Sequence, residues 1–294
     1  MIARKEFTDL LLSRNLLLDG SYGTSFSRMG FAGVPSEKLN LTHPERVEEL
    51  QRSYVEAGSD ILMTNTFCGN RYMLEQNGLA DDMRAIHFQA VEIARKSAKA
   101  ADRRVLVFGD ISSTERPLGD DVSPDDWRRC FKEQASLLLE AGCDGLIVET
   151  IVDLEELRAA LSGVREASPE TPLIAQIAVG ESGATGAGAS LRDFADVVNA
   201  LDVDVAGMNC EVGPTAMLAN VKQFAPLTKC FLSVEPNAEG EGETTPTDFA
   251  RSAAGFVAAG VSILGGCCGT DAAHIKALSE ALRGLAPAGA NRMR

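Results

Sequence analysis

Eight short apolar runs recur along this chain, starting roughly 25 to 45 residues apart, and a longer amphipathic stretch separates each from the next. The runs are Leu16–Asp19, Asp60–Asn65, Val105–Asp110, Gly145–Glu149, Leu173–Val179, Val203–Asn209, Cys230–Glu235 and Ser262–Gly265. Most are apolar at nearly every position, the pattern of strands buried on both faces. The stretches between them carry helix punctuation. Thr42-His-Pro-Glu45 and Ser123-Pro-Asp-Asp126 read as capping boxes with proline in the first turn. Two of these helices end on Ala-Gly at Gly58 and Gly142, and Phe249–Gly260 repeats the pattern before the last strand. Alternation of this kind builds parallel βαβ units, and eight of them predict a single closed (β/α)₈ TIM barrel. The first strand is followed by Gly20-Ser-Tyr-Gly-Thr24 rather than G-x-G-x-x-G, so a dinucleotide-binding sheet finds no support. No linker divides the 294 residues: the expected barrel is residues 1–285, with 286–294 a flexible tail.

Charge and length narrow the function. A net charge of −14 disfavours nucleic acid and anionic membrane surfaces as partners, and no apolar run reaches the ~20 residues of a membrane span. The N-terminal residues are charged throughout and lack a signal-peptide core, which predicts a cytoplasmic protein whose seven cysteines stay reduced. In a parallel barrel the active site lies at the C-terminal ends of the strands. The polar residues there are Asp19-Gly20, Asn65-Thr66, Asp110, Glu149-Thr150, Gln176, Asn209-Cys210, Glu235-Pro-Asn237 and Cys267-Cys268. Helix capping and loop solvation would account for some of them singly, but less readily for the set.

Gly265-Gly-Cys-Cys-Gly-Thr270 is the sharpest feature. Adjacent cysteines on a regular strand face opposite ways, but glycines on both sides let the backbone turn both sulfurs to one point. A strained vicinal disulfide and a pair of small core residues are the competing readings. Cys210 ends the sixth strand, close to the eighth in a closed barrel, so Cys210, Cys267 and Cys268 form a candidate metal site. Three thiolates with an open fourth position suit catalytic zinc. Of the histidines, His43 and His274 fall in first helical turns and His87 in mid-helix, positions of surface or cap residues. Cys130, Cys143 and Cys230 read as packing residues, and Cys68, after the second strand, stays open. A zinc trithiolate is a weak activator of water but holds another thiol as a nucleophilic thiolate near neutral pH, which points to alkyl transfer onto sulfur.

Taken together, Asp19-Gly-Ser-Tyr-Gly-Thr24, Asn65-Thr-Phe67, Glu149-Thr150, Gly207-Met-Asn-Cys210, Glu235-Pro-Asn237 and Gly265–Thr270 resemble the homocysteine S-methyltransferase family over about residues 10–285. Lys38–Glu45 and Ser53–Asp60 are most similar to the homocysteine-binding module of cobalamin-dependent methionine synthase. The resemblance implies zinc on Cys210, Cys267 and Cys268 and homocysteine as the thiol substrate. It implies Glu149 and Asp19 at the substrate amino group, and backbone N–H groups of Ser21–Thr24 and Gly109–Ser112 at its carboxylate. Asn237 matches a position close to metal or substrate, and Gly20, Ser21, Asn65, Asp110 and Asn209 complete the expected substrate contacts. The sequence carries no Asp-x-His-x-x-Gly corrinoid-ligating motif, so the implied methyl donor is methylcobalamin or another methylcorrinoid on a separate protein. The alternatives are a stand-alone enzyme using S-methylmethionine or betaine, and a zinc-thiolate binding protein without turnover. The loops 111–119 and 239–245 and the small loop Glu181–Gly188 depart from the family pattern, which leaves the donor open.

Overall fold

All eight apolar runs are strands in the computed structural model, which describes residues 2–119, 121–239 and 244–289. They are β1 Leu16–Leu17, β2 Ile61–Met63, β3 Leu106–Ile111, β4 Gly145–Ile151, β5 Leu173–Ile177, β6 Val205–Asn209, β7 Phe231–Glu235 and β8 Val261–Leu264. Every ladder is parallel, and the strand order β1-β8-β7-β6-β5-β4-β3-β2 is that of a nearly closed TIM barrel. The β1–β2 seam has no regular ladder. Single contacts close it: the Asp60 N–H donates to Leu17 O at 2.7 Å, and the Met63 N–H donates to Asp19 Oδ2 at 2.9 Å.

Inside the barrel Leu16, Leu18, Ile61, Met63, Leu106, Phe108, Ile147, Ile174, Val205 and Ile263 form one apolar cluster. The N-terminal helix Arg4–Ser13 seals its lower end with Phe7 and Leu11, both fully buried. A second, larger cluster lies between the strands and the outer helices. Packing on both faces is what the uninterrupted apolar runs require.

Helix ends follow local chemistry. Ser123 and Asp126 form the expected capping box, and Gly58 and Gly142 end their helices in the left-handed region at φ 118° and 104°. The box expected at Thr42 does not form. Thr42 instead ends a short helix, Leu39–Thr42, with its hydroxyl donating to Lys38 O, and His43 caps Pro44–Ala57 without a side-chain bond. The helix read at Phe249–Gly260 divides into Pro246–Ala250 and Ala253–Ala258.

At the N-terminal face, Asp60, Asp144 and Asp204 each directly precede a strand. Each accepts a backbone N–H from the neighbouring strand and pairs with an arginine, at 2.7 Å to Arg14, 2.6 Å to Arg95 and 2.8 Å to Arg4. Of the expected flexible tail, residues 286–289 are docked: Asn15 bonds Ala286 O and Ala288 N, and Ala288 is buried. Residues 290–294 lie outside the described residues, as do 240–243 of the 239–245 loop. No helix among the described residues is long and apolar enough to cross a membrane.

Candidate active site

Strands β4 and β6 both end in backbone that ordinary residues avoid. Thr150 (φ 58°) sits where the β4–β5 register shifts, and Cys210 and Glu211 follow β6 at φ 59° and 58°. Left-handed conformation at such residues costs roughly 1–2 kcal/mol each, and strain of this kind collects at functional sites. Asn209 offsets part of it. Its side chain accepts the Thr150 N–H at 3.0 Å and donates to Thr150 Oγ1 at 2.6 Å and to the Glu149 carboxylate.

After β8 the chain turns through Gly265–Gly269. Gly269 is left-handed (φ 82°), and a Cβ there would lie 2.5 Å from the Glu239 backbone nitrogen, so only glycine fits. The loop after β7 straps this turn, with the Cys267 N–H donating to Pro236 O and the Ala238 N–H to Cys268 O. The sulfurs of Cys210, Cys267 and Cys268 consequently converge, all within 4.8 Å of one another, with Cys210 and Cys268 at 3.8 Å. Tetrahedral zinc with Zn–S bonds of about 2.3 Å separates its sulfurs by about 3.8 Å, so the trio fits that ion. Its electrostatics fit as well. Thiols of Cys267 and Cys268 hydrogen-bond the Cys210 sulfur and hold it far below the ordinary thiol range, with help from the Asn237 side chain. The same contacts, with burial, push Cys267 and Cys268 up. Ionising all three sulfurs together would call for a cation among them.

The sulfurs line one end of a cavity of about 290 Å³ at the barrel mouth. Its wall includes Gly20, Ser21, Asn65, Asp110, Glu149 and Glu235, and among the described residues it contains no lysine, arginine or histidine. Burial pushes the carboxyls up: Glu149 to about 7, Asp19 to about 8, and Asp110 and Glu235 well above their usual values. Mutual repulsion adds to this, and Asp110 and Glu149 are hydrogen-bonded to each other, which requires a proton between them. Asp19 Oδ1, Asp110 Oδ1 and Glu235 Oε1 are buried without a hydrogen-bond partner among the described residues. Acids buried this way await a cationic group.

The expected contacts divide three ways. Gly20, Ser21, Asn65, Asp110 and Glu149 reach the cavity. Asp19 and Asn209 stand behind its wall: Asp19 Oδ2 accepts the Tyr22 hydroxyl and the Met63 N–H, while Asn209 holds Glu149. Asn237 reaches the Cys210 sulfur rather than the cavity. Several of the backbone groups expected at a carboxylate are already used, with Ser21 N–H on Thr270 Oγ1, Asp110 N–H on Thr64 Oγ1 and Ser112 N–H on Phe67 O. Gln176 is fully buried and bonds Ser233.

Glu235 is a site residue that strand-end reading noted without assigning it a role, and its position before Pro236-Asn237 was the available signal. Ser36 and Tyr22 also line the cavity. Cys68 lines it too, its thiol pushed up by burial and by the nearby Glu37 carboxyl. Cys130, Cys143 and Cys230 are buried, as packing residues should be. His87 is not at the surface. It is fully buried, bonded through Nδ1 to Met83 O, and burial lowers it to about 4.

Known proteins are similar to this chain in sequence and in fold. The homocysteine S-methyltransferase family profile matches residues 16–282. The chain is 32% identical over 304 aligned positions to the methionine synthase of Mycobacterium tuberculosis and 31% over 301 to that of Mycobacterium leprae. These alignments cover 95% and 94% of the chain but only 26% and 25% of the relatives, so it spans about a quarter of their length. The metallated form of the homocysteine methyltransferase MmuM from Escherichia coli superposes with a TM-score of 0.78 at 26% identity, covering 90% of this chain and 96% of that one.

Proposed function

This chain belongs to the homocysteine S-methyltransferase family, and on that premise we propose that it methylates homocysteine on sulfur to give methionine. The observation that carries the reading is the convergence of three sulfurs on a cavity whose other polar groups are carboxyls. Zinc on Cys210, Cys267 and Cys268 would supply a soft Lewis acid that keeps a substrate thiol deprotonated near neutral pH.

The chain's own residues position the substrate. Glu149, with Asp110 and Glu235 beside it, faces the substrate ammonium and surrenders its shared proton when that cation enters. Asn209 fixes the Glu149 carboxylate, and Asp19 braces the wall through Tyr22 and Met63. Asn237 donates to the Cys210 sulfur and tempers its charge. In the transfer, a carbon–sulfur bond forms as the donor–methyl bond breaks. The protein contributes orientation and a dry cavity rather than a nucleophile of its own.

The donor in this reading is a methylcorrinoid brought to the barrel mouth by a separate protein. Support comes from the methionine synthases, which share more sequence with the chain than the Escherichia coli enzyme does. Purified zinc-loaded protein with homocysteine and free methylcobalamin is expected to form methionine slowly. Brisk turnover with S-methylmethionine or betaine alone would replace the corrinoid with a small onium donor. No methionine from any of the three would overturn the reading in favour of a zinc-thiolate protein without turnover.

A further inference from the structure

Between β1 and the helix Pro44–Ala57 the chain makes an excursion that the eight-unit plan does not require. It runs through short helical turns, breaks at Gly30 (φ 95°) and Gly33 (φ 78°), and exposes Met29 and Val34 to solvent. Its far end returns over the barrel mouth, where Ser36 becomes part of the cavity wall. Three side chains hold it there. Asn65 donates to Ser36 O at 2.6 Å and to Asn40 Oδ1 at 2.9 Å, and Asn40 donates back to Asn65 O at 2.8 Å. The third is Glu37, 2% exposed, whose Oε1 accepts the Cys68 N–H at 2.8 Å.

Glu37 is costly for that task. Among the described residues no lysine, arginine or histidine pairs with it, and burying a carboxyl without a cation opposes folding. The Glu37 carboxyl accepts from the Cys68 N–H, the Ser36 hydroxyl and its own N–H, and a carboxylate makes each of these bonds stronger than a neutral side chain would. A carboxyl buried without a cation, at the edge of the cavity, points to function. Cys68 and Phe67, the residues Glu37 anchors, form cavity wall on the β2 side, whereas the sulfurs come from β6 and β8 and the facing acids from β3, β4 and β7.

We propose that Glu37 is a positioning residue: through the Cys68 amide it latches the excursion onto the β2 loop and fixes the wall past which the methyl donor approaches. The kinetic part of this inference rests on the methyltransferase reading above; the latch itself does not. Loss of the latch opens the donor side and leaves the groups that hold homocysteine in place.

The test compares wild type, Glu37→Ala and Glu37→Gln as zinc-loaded full chains. Alkylation of Cys68 by iodoacetamide, read by peptide mass spectrometry, reports opening of the latch. Removing a buried hydrogen bond should speed it about tenfold in Glu37→Ala, while Glu37→Gln, which keeps the acceptor, stays within about twofold of wild type. With homocysteine and methylcobalamin, kcat/KM for the donor should fall about tenfold in Glu37→Ala and recover in Glu37→Gln, with KM for homocysteine unchanged. If Glu37→Ala does not fold, Glu37→Asp, one methylene too short, takes its place with the same expected order. Equal labelling in wild type and Glu37→Ala would overturn the latch. So would equal acceleration in the Ala and Gln variants, which would trace the effect to charge on the thiol, or a loss that falls on zinc content or on homocysteine KM. Wild type that makes no methionine from any donor would defeat the methyltransferase reading while the labelling still decides the latch.

Discussion

Replacing Asn209 with alanine tests whether the strained strand ends and the substrate site are one construction. The fully buried Asn209 amide makes three bonds, accepting the Thr150 N–H and donating to Thr150 Oγ1 and the Glu149 carboxylate. Asn209→Ala leaves a backbone N–H and a carboxylate oxygen buried without those partners, at about 1–3 kcal/mol each. It also releases Thr150 from a left-handed conformation worth about 1 kcal/mol. Some relaxation offsets these losses, so the expected destabilisation is about 3 kcal/mol. Urea unfolding of zinc-loaded protein at unchanged m-value measures it, and calorimetric titration with homocysteine should show affinity falling about tenfold as Glu149 loses its orientation. A stability loss under about 1 kcal/mol, or a large loss with homocysteine affinity intact, would refute the coupling. Asn209→Asp sharpens the point, because it keeps the acceptor for Thr150 but sets a second carboxylate against Glu149. Folded-state values above the unfolded ones mean stability is lost as pH rises, so this variant's deficit should widen from the ordinary carboxylate range up to about pH 7, where Glu149 titrates.

Other outcomes follow from the same structure. Asp19 is raised to about 8, chiefly by burial, so the zinc-free wild type should lose stability as pH climbs from about 4 towards 8. Asp19→Asn should make that slope shallower in thermal unfolding, with Glu149, Asp110 and Glu235 supplying the rest; parallel curves would contradict the assignment. At the opposite face, burial alone would raise Asp144, yet the Arg95 pair and the Val107 N–H hold it below the usual range. Asp144→Ala should cost about 3 kcal/mol in urea unfolding while turnover per zinc stays at the wild-type value, since that face supports the barrel rather than the reaction. A matching fall in turnover per zinc would show that the two faces are coupled.

The barrel was legible because two physical signals coincide in the sequence. Continuous apolar runs mark strands buried on both faces, and glycine or Ser-Pro-Asp punctuation marks helix ends such as Gly58, Gly142 and Ser123. The convergence of the Cys210, Cys267 and Cys268 sulfurs was legible because a strand end flanked by glycines lets adjacent sulfurs face one point. What escaped lies where local pattern carries little information. Residues 23–42 have no sustained apolar period, so the excursion that brings Ser36 and Glu37 to the mouth could not be drawn from spacing. Thr42 had the chemistry of a helix cap, but its hydroxyl bonds back into the preceding turn. His87 looked like a polar residue in mid-helix, and only the tertiary packing decides that it faces inward. For Asp19 and Asn209 the strand-end positions were legible but not their placement behind the cavity wall, which depends on a partner 44 residues away for Asp19 and 60 for Asn209.

The central claim is that Cys210, Cys267 and Cys268 hold a zinc ion whose open position receives the homocysteine sulfur. X-ray absorption at the zinc edge measures this directly. The expected spectrum has three sulfur neighbours at about 2.3 Å in the purified protein and four after homocysteine is added. Fewer than three sulfurs at the start, or a coordination shell that homocysteine leaves unchanged, would contradict the account.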